Sequence, residues 1–110
     1  MAEGHQQYDV FQAIADPTRR KLLELLAGDE MSISTISKHF PMSRTAVTKH
    51  LSVLESAELV RSQKMGREKI YRLETKPLQK LQSWLEFFGP FWEAKLSDLK
   101  RIIEKEQRED

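Results

Sequence analysis

The sequence has no cysteine among its 110 residues, which excludes a disulfide framework and a thiolate metal site. Long apolar runs are also lacking, because the longest, such as residues 87–92, fall well short of the roughly 20 residues that a membrane-spanning helix needs. The stretch 1–11 lacks the basic and apolar regions of a secretory signal. We therefore expect a cytoplasmic protein without a membrane segment.

Histidine is scarce as well, with three in the chain and no two of them four residues apart. Zinc and copper sites usually need imidazole or thiolate ligands, so we predict no metal and no cofactor. A glycine-rich phosphate loop and a paired histidine and nucleophile are also missing, which argues against an enzyme. The length and the 39% hydrophobic content predict a single domain, 1–110, with one modest core.

The net charge of +1 hides an uneven distribution of charge along the chain. Residues 1–37 carry three basic and six acidic side chains, and residues 73–110 carry seven and eight. Residues 38–72 carry eight basic and three acidic side chains, a local excess of five positive charges. Such an excess is expected of a surface that faces phosphates, although a charge run is often only a solvated face.

Three helix starts can be read from the sequence. Asp16 is placed to cap a helix that has Pro17 at its first position, and Ser32 and Ser43 are placed to cap two shorter helices. Before Asp16, the apolar positions from Val10 to Ala15 have helical spacing and predict another helix. Two short helices joined by a tight turn, at about 32–57, predict a helix-turn-helix.

The second helix of this motif has a buried stripe and a polar outer face. On a wheel of about 100° per residue, Val47, Leu51 and Leu54 fall together, with His50 at the edge of the stripe. We expect a packing or hydrogen-bonding role for His50, the alternative being a base contact. The polar side chains predicted to read bases in the major groove are Arg44, Thr45, Thr48 and Lys49.

After residue 59 the apolar period changes from 3.6 to 2 around a turn at Gly66, which predicts a β-hairpin, or wing, at about 60–74. Its basic tip would touch phosphate or the minor groove. The predicted phosphate contacts are Ser43, Ser52, Arg61, Lys64, Arg67 and Lys69. Arg19 and Arg20 could also reach the DNA backbone, or could simply pair with Asp16 or Glu24.

The C-terminal segment, about 77–107, has apolar residues at alternating steps of three and four, which is typical of helices that pack along each other. We expect this helix to kink at Pro90, the alternative being a split into two helices. Its apolar surface exceeds what a chain of this length needs and suggests a homodimer, although the helix could instead pack on its own domain. The predicted dimer-interface residues are Phe11, Leu78, Leu81, Trp84, Leu85, Phe88, Trp92, Leu96 and Leu99.

Three segments resemble the ArsR family of winged-helix bacterial repressors: residues 11–26, 43–60 and 66–73. The fold class implied is mainly α with a small β-hairpin, a winged helix-turn-helix whose N- and C-terminal helices form a dimer interface. The resemblance also implies binding to double-stranded DNA at an inverted-repeat operator and repression by blocking polymerase. The family's cysteine-containing metal box corresponds to residues 29–34, which contain no thiolate, so the chain resembles the metal-independent branch.

Two other functions remain open. The aromatic C-terminal helix could dock a different protein, and that partner could act as an inducer that releases DNA. A pocket among Trp84, Phe88 and Trp92 could instead bind a small-molecule inducer, although large aromatic residues are more often core.

Overall fold

The computed structural model describes residues 7–109, so the predicted domain ends at residues 1 and 110 lie outside the described part. The helices are α1 (Val10–Ala13), α2 (Pro17–Gly28), α3 (Ile33–Ser37), α4 (Arg44–Ser56), α5 (Leu78–Phe87) and α6 (Gly89–Glu109). The strands are β1 (Met31–Ser32), β2 (Val60–Met65) and β3 (Glu68–Leu73). The predicted class, mainly α with a small β-hairpin, is confirmed.

The predicted helix caps are present. The side chains of Asp16, Ser32 and Ser43 each accept a hydrogen bond from the backbone N–H three residues later, at 3.0–3.1 Å. Pro17 occupies the first position of α2, where its missing N–H costs no intrahelical bond. These caps satisfy backbone donors that a helix start would otherwise leave open, so they fix where α2, α3 and α4 begin.

The three strands form an antiparallel sheet in the order β1-β3-β2. β2 and β3 are the predicted hairpin, and Gly66 lies in its turn at φ 64°, a conformation that glycine adopts without steric cost. β1 was not predicted. It pairs Met31 with Tyr71 and Ser32 with Ile70, and two residues are too few to show an alternating pattern in the sequence.

The buried core lies between the helices and the sheet. Its apolar members are Val10, Ala13, Leu22, Leu26, Ile33, Ile36, Val47, Leu51, Leu54, Ala57, Leu59, Val60 and Tyr71. Val47, Leu51 and Leu54 are fully buried, so the stripe predicted for α4 is confirmed. Burial of such aliphatic side chains contributes roughly 1.5–3 kcal/mol each, and it anchors α4 by one face.

The turn after α4 fixes where the wing begins. Glu58 adopts φ 62°, a left-handed conformation in which glycine is usual. The N–H of Leu59 donates to the carbonyl of Leu54 at 3.0 Å, and the N–H of Glu58 donates to that of Glu55 at 2.9 Å. This pair of bonds is a Schellman motif. It turns the chain so that Leu59 and Val60 enter the core and β2 starts at once.

The chain divides into two compact units, one ending at Gln79 and the other beginning at Lys80. The single domain therefore stays a prediction. Instead of the kink expected at Pro90, the structure has two helices, with α5 ending at Phe87 and α6 starting at Gly89. The N–H of Phe88 donates to the carbonyl of Leu85 at 3.1 Å, a tightened last turn. Pro90 then lies in the first turn of α6, where its missing N–H breaks no bond.

Candidate nucleic-acid interface

The outer face of α4 carries polar side chains in solvent. Arg44, Thr45, Lys49 and Ser52 are exposed, and Thr48 is half-buried at the shoulder of the helix. This distribution follows from the buried stripe, because side chains on the opposite side of a 3.6-residue helix must face outward when one stripe is in the core. The structure therefore presents the side chains proposed to read bases on one accessible surface.

Two hydroxyl groups at the start of α4 are oriented by backbone bonds. The Oγ of Ser43 accepts from the N–H of Ala46 at 3.1 Å, and its own hydrogen stays available to donate. The Oγ1 of Thr48 donates to the carbonyl of Arg44 at 2.9 Å, which leaves its oxygen lone pairs as acceptors. The N-terminal end of this 13-residue helix also carries a partial positive charge that favours an approaching phosphate.

A polar cluster of Asp16, Arg19 and His50 joins α2 to the inner edge of α4. The Nδ1 of His50 lies 3.4 Å from Nη1 of Arg19 and 4.0 Å from Oδ2 of Asp16. His50 is half-buried at the edge of the apolar stripe and within hydrogen-bond distance of Arg19, a contact of the kind predicted for it, while its role stays a prediction. The cluster leaves the outer face of α4 free for other contacts.

The Asp16 carboxyl is held in its charged form. Burial alone would raise its pKa, but the N–H of Arg19 and the charges of His50 and Arg19 lower it more strongly. The net result is a pKa below the ordinary value of 3.8. Asp16 thus remains a carboxylate at neutral pH, both as the cap of α2 and as a partner of His50.

Arg19 and Arg20 hold the end of α1. The Nε of Arg19 donates to the carbonyl of Ala13 at 2.6 Å, and Nη1 of Arg20 donates to that of Ile14 at 2.7 Å. From the sequence, we predicted that these arginines would contact the DNA backbone or pair with Asp16 or Glu24. Their hydrogen bonds to the carbonyls at the end of α1 were not predicted. No sequence pattern indicates them, since the carbonyls become available only when the chain turns between α1 and α2.

The two faces of the wing differ in charge. Because directly paired residues of an antiparallel hairpin share a face, Lys64 and Lys69 lie opposite each other on the same side. That side also carries the pairs Val60–Leu73 and Ser62–Tyr71, of which Val60 and Tyr71 are buried. Ser62 donates to Oε2 of Glu55 on α4 at 2.8 Å. The two lysines therefore extend the face of the hairpin that α4 contacts.

Arg61 lies on the other face of the wing, paired with Arg72 across the strands. Both guanidinium groups reach Oε1 of Glu74, at 3.4 and 3.5 Å. The structure thus separates Arg61 from Lys64 and Lys69, with which the sequence had grouped it. Arg67 is exposed in the turn beside Gly66. The exposed positive charge of the wing thus comprises two lysines on the α4 side, one arginine at the tip, and the Glu74-paired Arg61 and Arg72 on the other face.

Comparison with known proteins shows to which family this chain belongs. The family model described as bacterial regulatory protein, arsR family, matches residues 16–62. The transcriptional repressor SdpR of Bacillus subtilis (strain 168) is 40% identical over 77 residues, which cover 70% of this chain and 86% of SdpR. The chain belongs to the ArsR family. An HTH-type transcriptional regulator of Mycobacterium tuberculosis (strain ATCC 25618 / H37Rv), Rv2034, is 34% identical over 96 residues, covering 87% of each protein.

The fold agrees with solved members of the ArsR family. An ArsR-like transcriptional regulator from Rhodococcus sp. RHA1 superposes with a TM-score of 0.68 at 38% identity, covering 87% of this chain and 88% of that one. The winged helix-turn-helix is thereby confirmed. This ArsR protein is a DNA-binding transcriptional regulator and not an enzyme.

The residues predicted to form the ArsR dimer interface are accessible to different degrees. Trp84, Leu85, Trp92, Leu96 and Leu99 are each more than half exposed in the single chain, and Phe11 is 39% exposed. Leu78, Leu81 and Phe88 are half-buried. The segment from Leu81 onward thus leaves several large apolar side chains accessible to solvent.

Within residues 7–109, no three histidine, cysteine or carboxylate side chains lie close enough together to hold a metal ion. None of the helices in that range is long and apolar enough to cross a membrane.

Proposed function

We propose that this ArsR regulator is a cytoplasmic homodimeric repressor that binds an inverted-repeat operator in double-stranded DNA and does not use a metal ion as its signal. The observation that carries the proposal is the attachment of the wing to α4, since each of them carries exposed basic side chains. Ser62, on the Lys64–Lys69 side of the wing, donates a hydrogen bond to Glu55 of α4. A single DNA duplex could therefore meet both.

In this proposal, α4 enters the major groove and its N-terminal side chains read base edges. The guanidinium of Arg44 can donate two hydrogen bonds to O6 and N7 of a guanine, a pairing worth roughly 1–3 kcal/mol of discrimination. Thr45 and Thr48 can contact a thymine methyl or accept from an amino group, and Lys49 can donate to a guanine. Each of these side chains lies on the accessible side of the helix.

The wing and the cap of α4 would hold phosphates. Lys64 and Lys69 are like charges directly opposite each other, an arrangement that costs free energy in the isolated protein. A phosphate between them would relieve that repulsion. Ser43 and Ser52 can donate their hydroxyl hydrogens, and Arg67 reaches out from the tip. Arg61 would contribute less, because it first has to leave Glu74.

A homodimer is supported by the exposed apolar surface of α5 and α6. Two-fold pairing would present two copies of α4 to half-sites about one helical turn apart, and hence to an inverted repeat. Repression is supported by the similarity to SdpR, a protein named as a transcriptional repressor. Metal independence is supported by the absence of thiolate from the whole chain.

The test is in vitro selection of random duplex DNA by the purified protein at near-physiological salt. Recovery of an inverted repeat with half-site centres about 10 base pairs apart is the expected result. Enrichment of base composition alone would refute the sequence-specific reading. Adding zinc or a chelator should leave the recovered motif and the affinity unchanged, and a metal-dependent loss of binding would refute metal independence.

Thr45→Ala separates the base-reading role from general binding. We expect the variant to prefer a different base at one position of each half-site while its affinity for random DNA stays the same, because only a base contact is lost. Lys21→Ala, on the exposed side of α2, is the matched control and should change neither. Equal weakening on all DNA by Thr45→Ala would remove Thr45 from the set of base-reading residues.

A further inference from the structure

The outer half of the wing extends beyond the hydrophobic core. Val60 and Tyr71 are buried and fix the base of the hairpin, whereas residues 63–67 are all exposed. β1 pairs with Ile70 and Tyr71 of β3 and stops short of the tip. A two-stranded hairpin is only marginally stable in water by itself. The outer half therefore needs further contacts to keep a fixed direction relative to α4.

Two hydrogen bonds attach the wing to the two helices of the helix-turn-helix, one near its base and the other near its tip. The Oγ of Ser62 donates to Oε2 of Glu55 on α4 at 2.8 Å. The Oγ of Ser34 on α3 donates to Oε1 of Glu68 at 3.2 Å. All four side chains are half-buried, which strengthens a hydrogen bond relative to one in open water. Ser62 and Glu68 lie three paired positions apart along the hairpin, so the two bonds hold its opposite faces.

The acceptors of these two bonds are carboxylates in an otherwise basic segment. Residues 38–72 contain three acidic side chains, which are Glu55, Glu58 and Glu68. A carboxylate close to DNA phosphates lowers affinity through repulsion. Within residues 7–109, neither Glu55 nor Glu68 forms an ion pair, so neither serves to neutralise a lysine of the wing. The hydrogen bond to a serine hydroxyl is the contact that the structure gives each of them.

We propose that Glu55 and Glu68 are positioning residues for DNA binding, which hold the wing at a fixed angle to α4 so that its lysines meet phosphate while α4 lies in the major groove. This inference rests on the proposed function and adds which residues set the geometry of the interface. A charged acceptor makes a stronger hydrogen bond than a neutral one, which accounts for a carboxylate at each place. The bond of Glu55 has the usual O–H···O length and that of Glu68 is longer, so Glu55 should have the larger effect.

The absence of natural cysteine allows the angle of the wing to be measured without DNA. Spin labels are attached at Lys21→Cys on α2 and Gln63→Cys on the wing, both exposed positions, and pulsed electron paramagnetic resonance gives the distances between them. A large excess of unlabelled protein restricts the signal to distances within one chain. The labelled protein should give one narrow distribution. Glu55→Ala should broaden it, because losing a hydrogen bond to a charged group shifts the balance between attached and detached wing by about tenfold or more.

Variants of the donor and the acceptor distinguish the hydrogen bond from other effects. Ser62→Ala removes the donor and should broaden the distribution as Glu55→Ala does. Ser62→Thr retains a hydroxyl and Glu55→Gln retains an acceptor, so both should stay close to the unmodified protein. Glu58→Gln is the matched control, because it removes the third negative charge of the segment and leaves both hydrogen bonds in place. Unchanged distributions in Glu55→Ala and Glu68→Ala, with the fold intact by circular dichroism, would overturn the proposal.

On DNA, a detached wing should contact fewer phosphates while α4 still reads bases. The slope of log affinity against log salt should fall in magnitude by about 1.8 or more in Glu55→Ala, which corresponds to one phosphate contact in each chain of a dimer. The recovered sequence motif should stay the same. Glu55→Gln should bind at least as tightly as the unmodified protein, because it keeps the hydrogen bond and loses the repulsion. If Glu55→Gln weakened binding as much as Glu55→Ala, the effect would lie in the charge and the proposal would be wrong.

The two measurements tell a failure of this inference from a failure of the proposed function. Broadened distributions in the alanine variants of a protein that selects no DNA motif would refute the proposed function and support Glu55 and Glu68 as the residues that fix the wing. Sequence-specific binding with an unchanged salt slope in both Glu55→Ala and Glu68→Ala would refute the positioning role and leave the proposed function standing.

Discussion

Replacing Lys64 with alanine should slightly stabilise the folded protein in the absence of DNA and should lower its affinity for DNA. Lys64 and Lys69 are paired directly across the hairpin, and Lys64 is exposed. Like charges in this position cost roughly 0.2–1 kcal/mol. Without DNA, Lys64→Ala should therefore raise the free energy of unfolding by a few tenths of a kcal/mol. The opposite signs of the two effects distinguish a phosphate contact from a structural role.

The expected loss on DNA can be worked out from counterion release. Each neutralised phosphate contributes about 0.9 to the magnitude of the slope of log affinity against log salt. Removing Lys64 from both chains of a dimer should therefore reduce that slope by about 1.8. Between 50 and 200 mM salt, the affinity of the unmodified protein should then fall about twelvefold more than that of the variant. This difference is large enough to measure by fluorescence anisotropy titrations at four salt concentrations.

The control is Gln63→Ala, which alters the neighbouring residue on the opposite face of the hairpin without changing charge. It should leave the salt slope as it was. The same slope in Lys64→Ala and in the unmodified protein would refute the phosphate contact, even if the affinity fell. A lower stability of Lys64→Ala without DNA would show that the lysine pair is not repulsive.

Three further substitutions test how the fold positions the interface. Asp16→Asn should lower the free energy of unfolding at neutral pH, because the pKa of Asp16 is lowered in the folded state. The difference from the unmodified protein should persist above about pH 5 and vanish as the pH falls through the folded pKa, which urea unfolding from pH 7 to pH 2 would measure. Ser43→Ala should lower the free energy of unfolding by about 1 kcal/mol through loss of the cap of α4, with Ser43→Asp retaining most of it. A left-handed conformation costs a non-glycine residue such as Glu58 roughly 1–2 kcal/mol. Glu58→Gly should remove this cost and raise the melting temperature, whereas Glu58→Gln should not.

The helix starts were the most predictable part of this protein. A cap is a local event, in which one side chain bonds a backbone N–H three residues away. Asp16, Ser32 and Ser43 could therefore be assigned from neighbouring residues alone, and the structure bears them out. The buried stripe of α4 was predictable for a similar reason, since helical geometry fixes which side chains share a face.

The features that were missed or wrong depend on distant or competing contacts. β1 exists because Met31 and Ser32 find β3 about forty residues later. The break between α5 and α6 was placed at Pro90, whereas the last turn of α5 closes on Phe88 and leaves the proline inside the start of α6. The apolar spacing of three and four residues continues through this region, so the sequence pattern could not show where the helical backbone hydrogen bonds stop.

By itself, the sequence determined the winged helix-turn-helix, the basic middle third and the outward face of α4, because each depends on spacing along one element or on composition. Only the tertiary structure decided which partner each charged side chain contacts. It paired Arg61 with Glu74, committed Arg19 to a carbonyl of α1 and set Lys64 opposite Lys69 on the side of the wing that α4 contacts. Ion pairs and hydrogen bonds act over a few ångströms in space, and separation along the chain carries no record of that distance.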